Sequence, residues 1–229
     1  MRAAARLGAA EAALERWARG MRALALDLQR GRIGVRAWQD AAAAFGPAVD
    51  PAALLGALDL GRLAARQRSF GPGEHRIAIR LPGQAGEGPP AAELALLSAG
   101  RAVPPHGSNH LVTLHLVLRG HGRVRLYDRI ADAEDAVFLR LADDRELQPG
   151  ACFTGGHDAG NVRWLSAGAT ALLTLDLTVA IAAPAGFRQP SGRDGRLYLD
   201  PSGPAAADGA IRAVRLDPRR AMARFGSAS

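Results

Sequence analysis

Apolar positions change their period once along this chain. From residue 9 to about 67 they recur at three- and four-residue steps (Leu14, Trp17, Met21, Leu24, Leu28) among Ala, Leu, Arg and Glu, which predicts helices. Gly31 and Gly34 punctuate the end of the first helix. A second is expected over Arg36 to Phe45, stopped by Gly46-Pro47, and Asp50-Pro51 supplies an N-cap and a first-turn proline for a third that ends at Leu58. An apolar stripe of this kind needs a partner surface. The simplest is an outer face of whatever follows.

After Phe70-Gly71-Pro72-Gly73 the pattern becomes a series of short apolar runs bounded by Gly, Pro or Asp: His75 to Leu81, Ala92 to Ala99, His110 to Arg119, Arg123 to Ile130 and Ala136 to Leu141, then Ala151 to Phe153, Asn161 to Ser166 and Thr170 to Val179. Some eight strands at such intervals predict an all-β barrel or sandwich, and the lack of crossover helices disfavours a doubly wound α/β fold. Gly83 to Pro90 reads as a loop, Gly120-His121-Gly122 as a tight turn. Past Ala183-Pro184 a loop leads to two more strands, Arg196 to Leu199 and Ala210 to Leu216. Asp217-Pro218 then starts a helical turn through Phe225. The expected division is a helical segment over 1–70, a barrel over 71–183 and an extension over 184–229 whose hairpin and short helix pack on the barrel.

Composition narrows the function classes. No stretch approaches the roughly 20 apolar residues that span a bilayer. Glu11 and Glu15 break the apolar core a signal peptide would need, so a soluble, cytoplasmic protein is expected. The single cysteine, Cys152, excludes an internal disulfide framework. The net charge of +7 invites a nucleic-acid reading, but all 29 basic residues are arginine and they are spread among 22 acids. Only Arg212 to Arg224 is dense, so nucleic-acid binding is the least favoured class. Nucleotide loops are missing as well, since no glycine cluster carries the Walker lysine.

Candidate chemistry lies between residues 106 and 157, which hold five of the six histidines. Gly100, His106 and Gly120 keep the spacing of the first motif of the cupin superfamily, with Ser108 where that motif has a second histidine and Thr113 where it has a glutamate. His157 and Asn161, after Pro149-Gly150, match part of the second motif. On these residues the stretch from about 75 to 180 resembles a cupin. The resemblance implies a mainly β, cupin-type double-stranded β-helix barrel with an N-terminal α-helical segment. It also implies one divalent metal ion in the barrel mouth, iron first and Mn, Ni or Zn next, or none if the motif is degenerate.

His106 and His157 are the ligands that transfer from the family. A third donor is left open between His115, which shares strand parity with Thr113, and His110 at the strand's start; His115 also reads readily as a core histidine. Ser108, Thr113, Arg125, Tyr127 and Trp164 are candidate contacts for a substrate. Two functions follow. One is a mononuclear metal-dependent, dioxygenase-like oxidoreductase acting on a small molecule, since leading helices and histidine-only ligation are similar to the thiol dioxygenase branch. The other is a non-catalytic barrel with an eroded metal site that binds a small ligand or a protein partner. The strand from His110 to Leu118, apolar on both faces, suits either a wall beneath the helices or a sheet that pairs in a homodimer.

Overall fold

The structure, a computed structural model, describes residues 2–58, 68–71, 73–81, 88–108, 110–157, 159–182 and 195–228. Helix α1 spans Arg2–Gln29, α2 Val35–Phe45 and α3 Pro51–Ala57, with a short 3-10 turn at Gly46–Ala48. Asp50 caps α3 by accepting a hydrogen bond from the Ala52 amide at 3.0 Å, with Pro51 in the first turn. Trp17 anchors α1 to the turn through an Nε1–H bond to the Gly46 carbonyl at 3.1 Å. The predicted helix beyond Leu58 falls on 59–67, outside the described residues, as do most of the loops expected at 83–90 and after 183.

Twelve strands follow: β1 Arg68–Gly71, β2 Glu74–Ile79, β3 Ala91–Leu97, β4 Ala102–Gly107, β5 Leu111–Arg119, β6 Gly122–Asp132, β7 Ala136–Leu147, β8 Cys152–Gly155, β9 Val162–Ala167, β10 Leu172–Ala180, β11 Leu197–Asp200 and β12 Ala210–Leu216. A last helix, α4, spans Pro218–Phe225 and is capped by Asp217. One sheet runs β1-β2-β3-β10-β5-β8. The other runs β11-β12-β7-β6-β9-β4 and closes on itself through pairing of β11 with β4. From β3 to β10 the chain alternates between the sheets except at the β6–β7 hairpin, with β3, β10, β5 and β8 in one and β4, β9, β6 and β7 in the other. That order is the jelly roll of a double-stranded β-helix. The fold is therefore mainly β, a cupin-type barrel with an N-terminal helical segment.

Period-two alternation gives each wall two environments. On β5, Val112, Leu114, Leu116 and Leu118 project outward; on β10, Leu175, Leu177 and Val179 do the same. All of them bury against Trp17, Met21, Trp38 and Leu54 of the helices. Thr113, His115, Val117, Thr174 and Asp176 point the other way, into the barrel. The strand apolar on both faces is thus a wall beneath the helices.

Two expectations need correction. The predicted strands leave out Ala102 to Gly107, where Pro104-Pro105 lacks the N–H donors a ladder needs. This segment forms β4 all the same, with a register shift between Val103 and His106 that absorbs the prolines. Strand β7 also runs six residues beyond the predicted end at Leu141, to Leu147, through the acidic pair Asp143-Asp144. These carboxylates stay paired: Asp144 accepts from Arg123 at 2.6 Å, and Asp143 lies 2.9 Å from Arg145. Cross-strand charge pairing lets an acidic segment remain extended.

Candidate ligand site in the barrel interior

Strand pairing brings two histidines and two arginines to one recess. In the first sheet His115 pairs with Asp176, and Asp176 with Glu93, so their side chains share the inner face; Glu74 and Arg76 follow on β2. In the second sheet His106 on β4 pairs with Arg163 on β9 and, on its other side, with Tyr198 on β11. Arg76, His106, His115, Arg163, Thr174 and Asp176 all line the recess between the sheets. With its open mouth the recess encloses about 380 Å³, but the space that a water centre can reach is only about 20 Å³. That is room for one or two waters, or for the polar end of a ligand.

Most of the polar groups here hold one another. Asp176, 2% exposed, accepts from His115 Nδ1–H at 2.8 Å and Thr174 Oγ1–H at 2.7 Å, and its other oxygen accepts from Arg76 at 3.0 Å. His115 Nε2 lies 3.1 Å from Thr113 Oγ1, so both ring nitrogens are engaged, and the ring stacks on Phe153. Glu74 accepts from Arg76 at 3.0 Å and from both guanidinium nitrogens of Arg196, at 2.8 and 3.0 Å. His106, 1% exposed, is the exception. Its Nδ1–H donates to the Pro104 carbonyl at 2.8 Å, which fixes the tautomer because a carbonyl only accepts; Nε2 is left as a buried lone pair with no partner among the described residues.

Charge follows this geometry. Burial, then the nearby Arg163 and Arg196 cations, hold the His106 imidazole well below its ordinary pKa. Burial also lowers His115 despite the attraction of Asp176. Burial alone would raise the Glu74 carboxyl, but the hydrogen bonds and charges of Arg196 and Arg76 outweigh it and bring Glu74 from 4.5 down to about 2. Arg163 falls to about 10, because it is buried beside Arg196 and Arg76.

These shifts set the acid response of the fold. Below the ordinary histidine pKa of 6.5 the unfolded chain takes up protons that His106 and His115 refuse while folded, so stability present above that pH is lost as pH falls. Glu74 adds a second loss between 4.5 and about 2, on the order of 3 kcal/mol. Urea midpoints are expected to plateau above about pH 7 and to decline in two stages. A midpoint that stays level from about pH 7 to pH 5 would mean that both imidazoles protonate inside the folded barrel.

The other candidates lie apart from this recess. His157 sits in the loop between β8 and β9 and is not among the residues that line the recess. Its motif partner Asn161 closes that loop, donating to the Gly156 carbonyl at 2.9 Å and to the His157 carbonyl while accepting from the Arg129 amide at 2.5 Å. His110 lies just before β5, against Gly195, and Ser108 just after β4. Arg125 lies over the Trp164 ring, 4.5 Å from its centroid, and Trp164 meets Phe225 of α4 edge-on, so this pair faces away from Arg163. Tyr127 is buried among Val137, Leu139 and Val162. Cys152 is packed under the helices, its thiol pushed up to about 12 by burial. Sequence reasoning missed Glu74, Arg76, Arg163, Asp176 and Arg196. The available signal was the polar step of two, Thr174 and Asp176, in the otherwise apolar β10.

Among the described residues no three His, Cys, Asp or Glu side chains converge as a metal-binding group. His115 has no free ring nitrogen, and the open Nε2 of His106 faces a recess bordered by arginines. This donor set does not fit a transition-metal ion.

No protein-family model and no curated protein matches the chain. Among solved structures it is similar to KdgF from Halomonas sp., at 18% identity over 51% of this chain and 86% of that one, with a TM-score of 0.38. It is similar also to the 11S globulin of Wrightia tinctoria (17% identity, TM-score 0.39) and the pro-11S globulin of pumpkin (19%, 0.39). The matches to the two globulins cover 52% and 53% of this chain and only 28% and 30% of theirs.

Proposed function

We propose that this protein is a ligand-binding barrel that takes a small molecule into the recess between its sheets and carries no resident transition metal. The observation behind this reading is the lone pair on His106 Nε2, buried at the edge of a cavity without a partner among the described residues. Buried acceptors left unsatisfied cost about 1–3 kcal/mol, so a group that costs stability in the empty protein and lines a cavity is a natural recognition element. The rigid network behind it supports the same reading, because Asp176, Thr174 and Arg76 fix the opposite wall in one arrangement before any ligand arrives.

A metal-dependent, dioxygenase-like enzyme is the second reading. One feature favours it: an imidazole that donates Nδ1–H to a carbonyl and offers Nε2 has the form of a metal ligand. Elemental mass spectrometry on untagged protein, beside a His106→Ala, His157→Ala double variant, separates the two. The binding barrel is expected to hold only substoichiometric metal, unchanged in the variant. About one Fe, Mn, Ni or Zn per chain, lost in the variant, would replace it with the enzyme.

A further inference from the structure

Resting on the binding-barrel reading, we propose that the ligand is a small hydroxy acid whose carboxylate is taken by Arg163 and whose adjacent hydroxyl donates to His106 Nε2. The first part follows from Arg163. Its guanidinium lines the recess, yet among the described residues it makes neither a hydrogen bond nor an ion pair; Asp176 and Glu74 attract it only from longer range. The other two interior arginines are matched, Arg196 by Glu74 in a two-pronged contact and Arg76 by Glu74 and Asp176. Arg163 is therefore the arginine of the recess that no carboxylate holds among the described residues, a single positive charge that one carboxylate neutralises and a phosphate dianion overshoots. Glu93, which lies 3.2 Å from Arg76, is the half-exposed member of the cluster. Arg163 is partly buried, and its planar fork is shaped for a carboxylate.

The second part follows from His106. With Nδ1–H committed to Pro104, its Nε2 can only accept, and Arg163 beside it can only donate. A bare carboxylate therefore satisfies Arg163 and leaves His106 empty. The ligand needs an anion and a donor on neighbouring atoms, because the two side chains are directly paired across β4 and β9. An ammonium donor would lie among three cations. A hydroxyl carries no such penalty.

Calorimetry of the full chain with lactate, propionate, methyl lactate and inorganic phosphate tests this. Lactate is expected to bind about tenfold more tightly than propionate, which lacks the hydroxyl, and more tightly than the neutral ester or phosphate. Arg163→Met removes a partly buried charge that makes no ion pair among the described residues, so it should fold about as well as the parent, which thermal melting verifies. It should bind lactate at least about tenfold more weakly. Equal binding of propionate and lactate, preference for phosphate, an unaffected Arg163→Met, or no lactate binding at about 100 mM (far above ordinary small-ligand affinities) would each overturn the proposal. Methyl lactate binding that Arg163→Met leaves intact would remove the acid but keep the small-molecule site. Stoichiometric metal lost with His106 would remove the site reading itself.

Discussion

Glu74→Ala is expected to destabilise the barrel by about 3–5 kcal/mol, the usual cost of removing one partner from a buried ion network. Glu74 is 6% exposed and accepts from Arg76 and from both prongs of Arg196, so its loss takes the two-pronged acceptor from Arg196 and one of three carboxylates from Arg76, beside an Arg163 that makes no ion pair among the described residues. The variant should show a lower urea midpoint at an unchanged m-value. Glu74→Gln, which keeps an acceptor oxygen but no charge, should fall between the two. Replacing Glu74 and Arg196 together with apolar residues of similar volume should cost less than Glu74→Ala alone, since Arg196 is then not left without its carboxylate while Arg76 keeps Asp176 and Glu93. A loss below about 1 kcal/mol for Glu74→Ala would mean that water, rather than the carboxylate, solvates these arginines.

What the sequence revealed, and what it hid, divides along the line between local and paired information. The helical stripe, the two-faced β5 and His106 inside the glycine frame were all legible, because each depends on a period or a spacing within a few residues. The recess was not. His115 meets Asp176 across 61 residues, and Arg76 reaches the same carboxylate across 100. Only the strand order places those groups in one row. Arg125 and Trp164 show the same limit from the other side: they sit on strands that build the recess, but parity, set by the pairing of His106 with Arg163, turns them outward. The motif residues themselves also had second meanings. Asn161 stitches a loop, and Thr113 holds a histidine nitrogen where the family has a carboxylate.

Gly120→Ala is expected to cost more than about 4 kcal/mol or to prevent folding, whereas Gly100→Ala should cost only about 1–2 kcal/mol. Both glycines belong to the motif frame and both have positive φ, +67° at Gly100 and +87° at Gly120. They differ in their surroundings. A Cβ on Gly120 would lie 2.0 Å from the Ala171 carbonyl oxygen and 2.9 Å from its carbon, while one on Gly100 would meet nothing within 4 Å. Backbone cannot swing aside as a side chain can, so the turn from β5 to β6 must separate from the start of β10, and that seam seals the barrel end beneath Leu172. Gly122 repeats the constraint, with a Cβ position 2.3 Å from the Ser166 carbonyl oxygen. Thermal melts of the two alanine variants measure the difference directly, and equal losses would assign the whole effect to φ. A large gap would tie the spacing of these glycines to the packing of the barrel rather than to the side chains that line the recess. The glycines answer to strand closure, and closure is needed whatever the recess holds.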